Sequence, residues 1–167
     1  QSLDTVFAGK LIPVTSLSDR ALLLSARNEE AHLLVEAGGL RKLLRYSFAR
    51  KSFTTVMETA DPIAAIDVVP GGCLLVSSDS VFKLFETEDG LEEGALLRLC
   101  SVEGAALRSV AADPESEAVY FSDSDLTYAW AGGKVVILLP MGGDLAYRDG
   151  MLMVSHPKLG QLVAIHS

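Results

Sequence analysis

Residues 66–85 read IDVVPGGCLLVSSDSVFKLF, three apolar runs separated by two polar or glycine-containing breaks. The first break, Pro70–Gly72, and the second, Ser78–Asp79, contain the residues that tight turns require. Short apolar runs between such turns are typical of strands in an antiparallel sheet. The stretch therefore predicts three consecutive β-strands joined by hairpin turns.

The same pattern recurs along the chain. Residues 118–130, AVYFSDSDLTYAW, align without a gap on residues 73–85, and similar runs ending in serine occur at Leu22–Ser25 and Leu152–Ser155. In all four units the run that ends in serine is predicted as the second strand. Repeats of about 40 residues with four strands each are typical of a β-propeller, in which each repeat forms one twisted sheet, or blade.

The repeat predicts an all-β fold, a small propeller of four four-stranded blades in a single domain. The blades are expected at about residues 10–59, 60–101, 102–140 and 141–167. In the first blade the expected strands are Val14–Leu17, Leu22–Ser25, Leu40–Tyr46 and Phe53–Met57. Leu40–Phe48 also has apolar residues at helical spacing, so an amphipathic helix is the alternative there.

The last unit has only three predicted strands. The N-terminal segment Leu3–Gly9 has a strand-like pattern and no partner within its own unit. We expect it to pair with Gln161–Ile165 and close the ring, because closure removes exposed strand edges. An alternative is that the four blades are half of a larger ring, completed by a second copy or another domain.

One segment departs from the repeat. Fourteen residues separate Ser25 from Leu40, more than in the equivalent loops, and they include the apolar run Leu33–Val35. The segment Glu29–Gly39 is therefore predicted as an insertion between the second and third strands. Insertions in repeat proteins often lie on the binding face, although a strand or helical turn that covers the ring is an equal alternative.

Composition excludes some classes of function. The formal charge is −8 and the pI is about 4.8, which argues against nucleic-acid binding through phosphate neutralisation. The longest apolar run, Val135–Pro140, is far shorter than the ~20 residues of a membrane helix. Cys73 and Cys100 both lie in apolar runs and are interpreted as reduced core residues, which favours a reducing compartment such as the cytoplasm.

Several segments resemble the NHL and YWTD-type propeller repeats. Leu40–Tyr46 followed by Phe53–Val56 is similar to the outer half of an NHL repeat, and Ser109–Ser122 is similar to the inner half. NHL domains usually have six blades and an aspartate where this chain has the repeated serines. The resemblance implies a platform for proteins or, in some members, RNA.

Calcium-dependent propeller hydrolases (lactonases and esterases) are the enzymatic alternative. Such enzymes bind calcium in the channel with Asp, Glu and Asn side chains, and Asp67, Asp113 and Asp144 are the candidates here. The chain has one asparagine, Asn28, outside any inner strand, so the six to eight oxygen ligands of calcium are difficult to assemble. The serine- and aspartate-rich loops at Ser77–Ser80 and Ser122–Asp125 are interpreted mainly as capped turns.

The sequence therefore favours a non-catalytic protein-binding or scaffold module without a cofactor, with a protein partner and a possible homodimer. The acidic loop Glu86–Glu93 is a second candidate docking site. The expected contact surface combines the insertion with the loops between second and third strands. Its residues are Glu30, His32, Leu33, Leu34, Val35, Glu36, Asp79, Asp123 and His156.

Overall fold

The computed structural model describes residues 19–27, 30–85 and 95–166, and all regular structure in this part is β-strand. There are fifteen such strands. Their bounds are β1 Arg20–Arg27, β2 Glu30–Ala37, β3 Leu40–Ser47, β4 Ser52–Thr59, β5 Ala65–Val69, β6 Gly72–Ser77, β7 Ser80–Phe85, β8 Ala95–Ser101, β9 Ser109–Ala112, β10 Val119–Ser122, β11 Thr127–Ala131, β12 Lys134–Leu139, β13 Asp144–Arg148, β14 Met151–His156 and β15 Gln161–His166.

The strands form four antiparallel sheets in which each strand pairs with the next along the chain. Sheet 1 contains β1 to β4, sheet 2 contains β5 to β8, sheet 3 contains β9 to β12, and sheet 4 contains β13 to β15. The first strand of each sheet packs against the first strand of the next, so β1, β5, β9 and β13 are the inner strands. The four sheets of the prediction are therefore present.

The interpretation of residues 22–39 as a second strand plus an insertion is wrong. Leu22–Ser25 lies in β1, the first strand of its sheet, and the supposed insertion is β2 with its turn. Gly38 and Gly39 have φ angles of +60° and +81°, the geometry of a two-residue hairpin turn with positive φ at both positions. Ala37 consequently pairs with Leu40, and β2 and β3 form a regular ladder.

The strand interpretation of Leu40–Tyr46 is confirmed, and the helical alternative is wrong. Strand β3 pairs with β2 on one side and with β4 on the other, which satisfies its backbone groups along the ladder. Leu43 is fully buried and Tyr46 is 5% exposed. The turn before β4 includes Lys51, whose φ is +54°.

Three apolar clusters join the sheets. Sheets 1 and 2 meet around Leu34, Leu43 and Leu75, and sheets 3 and 4 meet around Tyr120, Leu152 and Val154. The cluster between sheets 2 and 3 contains Val69, Leu74, Val76, Val81, Leu107, Val110, Val119, Phe121 and Tyr128. Burial of these side chains, at about 25 cal/mol per Å² of apolar area, is the main force that holds one sheet on the next.

Hydroxyl groups on strands bind the backbone of the following sheet. Ser25 Oγ accepts a hydrogen bond from the Val68 N–H at 3.0 Å and thereby joins sheet 1 to sheet 2. Ser109 Oγ accepts from the Leu145 N–H at 2.9 Å, and the buried Ser122 hydroxyl donates to the Gly143 carbonyl oxygen. Two of the repeated serines, Ser25 and Ser122, thus fix the angle between neighbouring sheets.

The described residues show four sheets in sequence and no closed ring. The segments predicted to be the closing strand, Leu3–Gly9, and the first inner strand, Val14–Leu17, lie outside the described residues, so closure stays a prediction. The outer edge of β15 has no partner strand in the described part, whereas β3, β7 and β11 each pair with a fourth strand. No helix within residues 19–27, 30–85 and 95–166 could span a membrane.

Candidate functional site

A cavity of about 920 Å³ opens at one end of the inner strands. We call this end the hairpin face, because it contains the turns that follow β5, β9 and β13. The cavity lies among all four sheets, as expected for the channel of a propeller-like fold. Its lining residues are Ala26, Asp67, Val68, Ala112, Asp113, Pro114, Glu115, Tyr147, Arg148, Asp149 and Gly150.

Acidic side chains dominate the charge of this cavity. Four carboxylates line it, and one guanidinium, that of Arg148, opposes them. Arg148 Nε lies 3.6 Å from an oxygen of Asp149, but both side chains are largely exposed, so the pair contributes little stability. The cavity therefore presents a negative surface, which favours a cationic group of a ligand.

Asp113 is the most deeply placed of these carboxylates. It directly follows β9, and its Oδ1 accepts a hydrogen bond from the Glu115 N–H at 2.9 Å. The Ser116 hydroxyl donates to Oδ2. These hydrogen bonds, that of Ser116 first, hold the pKa of Asp113 below its ordinary value, and a further one from Tyr147 acts in the same direction. Asp113 is therefore ionised at neutral pH.

Asp67 connects three sheets at the wall of the cavity. Its Oδ2 accepts a hydrogen bond from the Ala112 N–H of sheet 3 at 3.2 Å. Its Oδ1 lies 3.4 Å from the Ser25 hydroxyl of sheet 1, which donates to it. The carboxylate thus has a structural role between the inner strands in addition to its negative charge.

An apolar groove of about 360 Å³ lies beside the cavity, between sheets 2 and 3. Val69, Leu74, Leu99 and Val119 form its floor and sides, with Trp130 at the end of β11. Lys83 Nζ lies 4.8 Å from the centre of the Phe85 ring at its edge, a cation–π distance. The groove and the cavity share three lining residues, Ala112, Asp113 and Pro114, and are therefore adjacent.

The contact residues predicted within the segment Glu29–Gly39 do not lie at the cavity. Glu30, His32, Leu33, Leu34, Val35 and Glu36 all lie on β2 and not on a loop. His32 is 1% exposed, and Leu34 and Val35 are fully buried, so these three side chains form part of the sheet packing. The interpretation of the segment as a binding-face insertion is wrong, because residues 30–37 form a regular strand between β1 and β3. The alternative of a strand is correct, but this strand belongs to sheet 1 and is not a cover over the ring.

Asp79 and Asp123 lie in loops and His156 ends β14, all at the opposite end from the hairpin face, and each is half-buried. Asp123 Oδ1 accepts hydrogen bonds from the N–H groups of Asp125 and Leu126 at 2.8 and 2.7 Å. His156 Nδ1 accepts from the Leu159 N–H at 3.1 Å. These are the capped turns that the repeat predicted, while the role of the three residues in binding stays a prediction. The acidic loop Glu86–Glu93 lies outside the described residues.

The three candidate calcium ligands do not converge. Asp67 and Asp113 line the cavity, but Asp144 begins β13 at the opposite end and pairs with Arg108, Nη2 to Oδ1, at 3.1 Å. Within the described residues no three side chains of His, Cys, Asp or Glu are grouped to hold a metal ion.

Neither Cys73 nor Cys100 forms a disulfide bond, so both are reduced, as predicted. Cys73 is fully buried and Cys100 is half-buried. Burial raises the pKa of Cys100 to about 11, so the group is a protonated thiol and a poor nucleophile at neutral pH.

No protein-family model matches the chain, and no curated protein matches it significantly. Solved structures do match. A chain of the nidogen/laminin complex matches with a TM-score of 0.64 and 13% identity, over 90% of this chain and 66% of that chain. The luciferin-regenerating enzyme matches with a TM-score of 0.63 and 11% identity, over 89% of this chain and 56% of that chain. A 6-phosphogluconolactonase homologue from Bacteroides uniformis matches with a TM-score of 0.57 and 12% identity, over 84% of this chain and 55% of that chain.

These matches define the class of the protein as an all-β, propeller-like fold. The chain spans about half to two thirds of the solved chains just described. The similarity is one of fold, because both a protein complex and enzymes share the architecture at 11 to 13% identity.

Proposed function

We propose that the chain is a non-catalytic binding module that recognises an extended segment of a protein partner on its hairpin face. The observation that supports this most is that the acidic cavity and the apolar groove are adjacent, with Ala112–Pro114 lining both. One ligand segment can therefore occupy both. Apolar concave sites with a few polar groups are the usual form of a recognition site.

The chemistry of the two parts defines the partner segment. The groove fits an apolar or aromatic side chain, which Trp130 and Phe85 would contact. The cavity beside it fits a lysine or arginine, because Asp113, Glu115 and Asp149 give it a negative charge. The proposed ligand is a peptide with an apolar anchor a few residues from a basic side chain.

Binding of peptides from a displayed random library tests this proposal. Enrichment of sequences that combine an apolar anchor with a nearby Lys or Arg is expected. Glu115→Lys together with Asp149→Lys should weaken the selected peptides at least tenfold, about 1.4 kcal/mol, because both exposed carboxylates line the cavity.

A matched control uses the same charge change at the other end of the sheets. Glu103 and Asp125 are exposed there, so Glu103→Lys together with Asp125→Lys alters the net charge equally. Peptide affinity is expected to stay within about twofold in this variant, a free-energy change well under 1 kcal/mol. Equal loss in both double variants would indicate non-specific attraction to an acidic protein and would contradict the proposal.

The calcium-dependent hydrolase is the second candidate, and one observation favours it: Asp67 and Asp113 share a cavity. We nevertheless predict no rise in melting temperature in millimolar calcium. A ligand of the native state must stabilise it, but the oxygens of both carboxylates already accept hydrogen bonds from protein donors. Thermal unfolding with and without calcium measures this, with magnesium as control. A rise of several degrees that Asp67→Asn abolishes would favour the hydrolase.

A further inference from the structure

Sheet 4 differs from the other sheets in the burial of its faces. The central strands β6 and β10 are buried on both faces, and in β2 the consecutive residues Leu34 and Val35 are both fully buried. In β14, by contrast, buried and partly exposed residues alternate. Leu152 and Val154 contact sheet 3, and within the described residues no strand packs on the opposite face of sheet 4. We call it the open face.

The strand register places nine residues on the open face in three rows. Directly paired residues share a face, so the rows follow from the ladder β13–β14–β15. They are Asp144, Ser155 and Leu162; Ala146, Met153 and Ala164; and Arg148, Met151 and His166. The middle row is wholly apolar, and Leu162 is 70% exposed. An apolar centre of this kind on a sheet face normally contacts another layer.

The charges at the two ends of β13 are self-complementary. Asp144 and Arg148 lie on the open face, one in the first row and one in the third. Each has an ion-pair partner in its own copy, Arg108 and Asp149 respectively, but both side chains stay largely exposed and can contact a second copy. A two-fold axis along the middle row, across the strands, would place Asp144 of one copy opposite Arg148 of the other, twice. All three residues of the middle row would lie along the axis and contact the same row of the other copy.

We infer that the open face of sheet 4 is a self-association surface that joins two copies of this chain about that two-fold axis. An isologous interface of this type closes on itself and leaves no unpaired face. Sheet 1 offers no equivalent face in the described part, because β2 is buried on both sides. A pair formed by sheet 4 against sheet 4 therefore fits the chain better than one formed by sheet 4 against sheet 1.

The area of the open face determines how strongly two copies are expected to associate. Three strands of five or six residues, ~4.8 Å apart, offer only a few hundred Å² per copy. Interfaces below about 1,000 Å² in total are weak and transient. The inference is thus of a reversible dimer that forms at high concentration. Arg148 also lines the cavity at the hairpin face, so all dimer measurements use the chain without added peptide.

Sedimentation velocity of the whole chain, from about 1 µM to about 1 mM, tests the inference over the range in which such weak interfaces associate. A reversible monomer–dimer equilibrium is expected. Ala164→Glu buries a charge in the apolar row and should raise the dimer Kd at least tenfold. Thr55→Glu is the matched control, since Thr55 is exposed on β4 of sheet 1, and it should leave the Kd within about twofold.

Exchange of charges tests the two-fold arrangement itself. Arg148→Asp alone places carboxylates opposite each other and should weaken the dimer, as should Asp144→Arg alone. The double exchange should restore it. Arg108→Gln removes the partner of Asp144 within the same copy and leaves the carboxylate available to Arg148 of the other copy, so this variant should not weaken the dimer.

A chain that stays monomeric to 1 mM overturns the inference. So does an Ala164→Glu variant that lowers the melting temperature of the monomer, because ring closure within one chain would bury the same face. A double exchange that fails to restore association contradicts the two-fold register. If Ala164→Glu does not fold, Leu162→Asp at the most exposed position gives the same readout.

Discussion

The Gly72→Ala variant is expected to lose about 3 kcal/mol or more of its free energy of unfolding, or not to fold at all. Gly72 begins β6 and pairs with Val69 on one side and Phe85 on the other. A Cβ at this position would overlap the Leu84 carbonyl oxygen, which belongs to the backbone of the neighbouring strand. Relief of the overlap would require β7 to move away from β6.

Urea denaturation followed by circular dichroism measures this effect, and Gly71→Asn is the matched control. The adjacent Gly71 has a φ of +76°, and nothing lies within 4 Å of an added Cβ. Asparagine tolerates this left-handed region, so the control should lose less than about 1 kcal/mol. A Gly72→Ala variant as stable as the control would show that β6 and β7 are less closely paired than the structure indicates.

The sequence predicted most of the strands, because most of them are short apolar runs bounded on both sides by turn-forming residues. Strand β12, for example, follows the Gly132–Gly133 turn, whose φ angles are both positive. The same two-glycine signal at Gly38–Gly39 was assigned to an insertion. The repeated serine caused this error, since Ser25 was aligned with Ser77 and Ser122 although it lies one strand earlier in its sheet.

The site was harder to predict than the fold. The polar loops that the sequence shows lie at one end of the strands, whereas the cavity lies at the other end. Asp79 and Asp123 lie in turns that resemble a binding rim, yet Asp123 mainly caps its own turn. The cavity and the groove depend on how far neighbouring sheets diverge, which no local pattern encodes. A usable signal was Asp113–Pro114 after an inner strand, since it places a carboxylate at the channel mouth.

The packing of sheet 3 on sheet 2 provides the second large effect. Phe121 is fully buried in the cluster between these sheets, and its ring stacks on Tyr128 with centroids 5.2 Å apart and planes at 18°. Phe121→Ala leaves a cavity that rigid strands on both sides cannot fill. The expected loss is about 3–5 kcal/mol, most of the stability of a typical domain.

Two further substitutions separate packing from general effects of truncation. Phe121→Leu keeps most of the volume and should lose less than about 1.5 kcal/mol, because volume-conserving changes are tolerated best. Ile137→Ala, at a position 63% exposed on β12, should change the stability by less than about 0.5 kcal/mol. Urea denaturation of the three variants measures the free energy of unfolding that each one loses. If Phe121→Ala were no more destabilising than Ile137→Ala, sheets 2 and 3 would not share a core, and the groove between them, with the peptide site proposed there, would lose its basis.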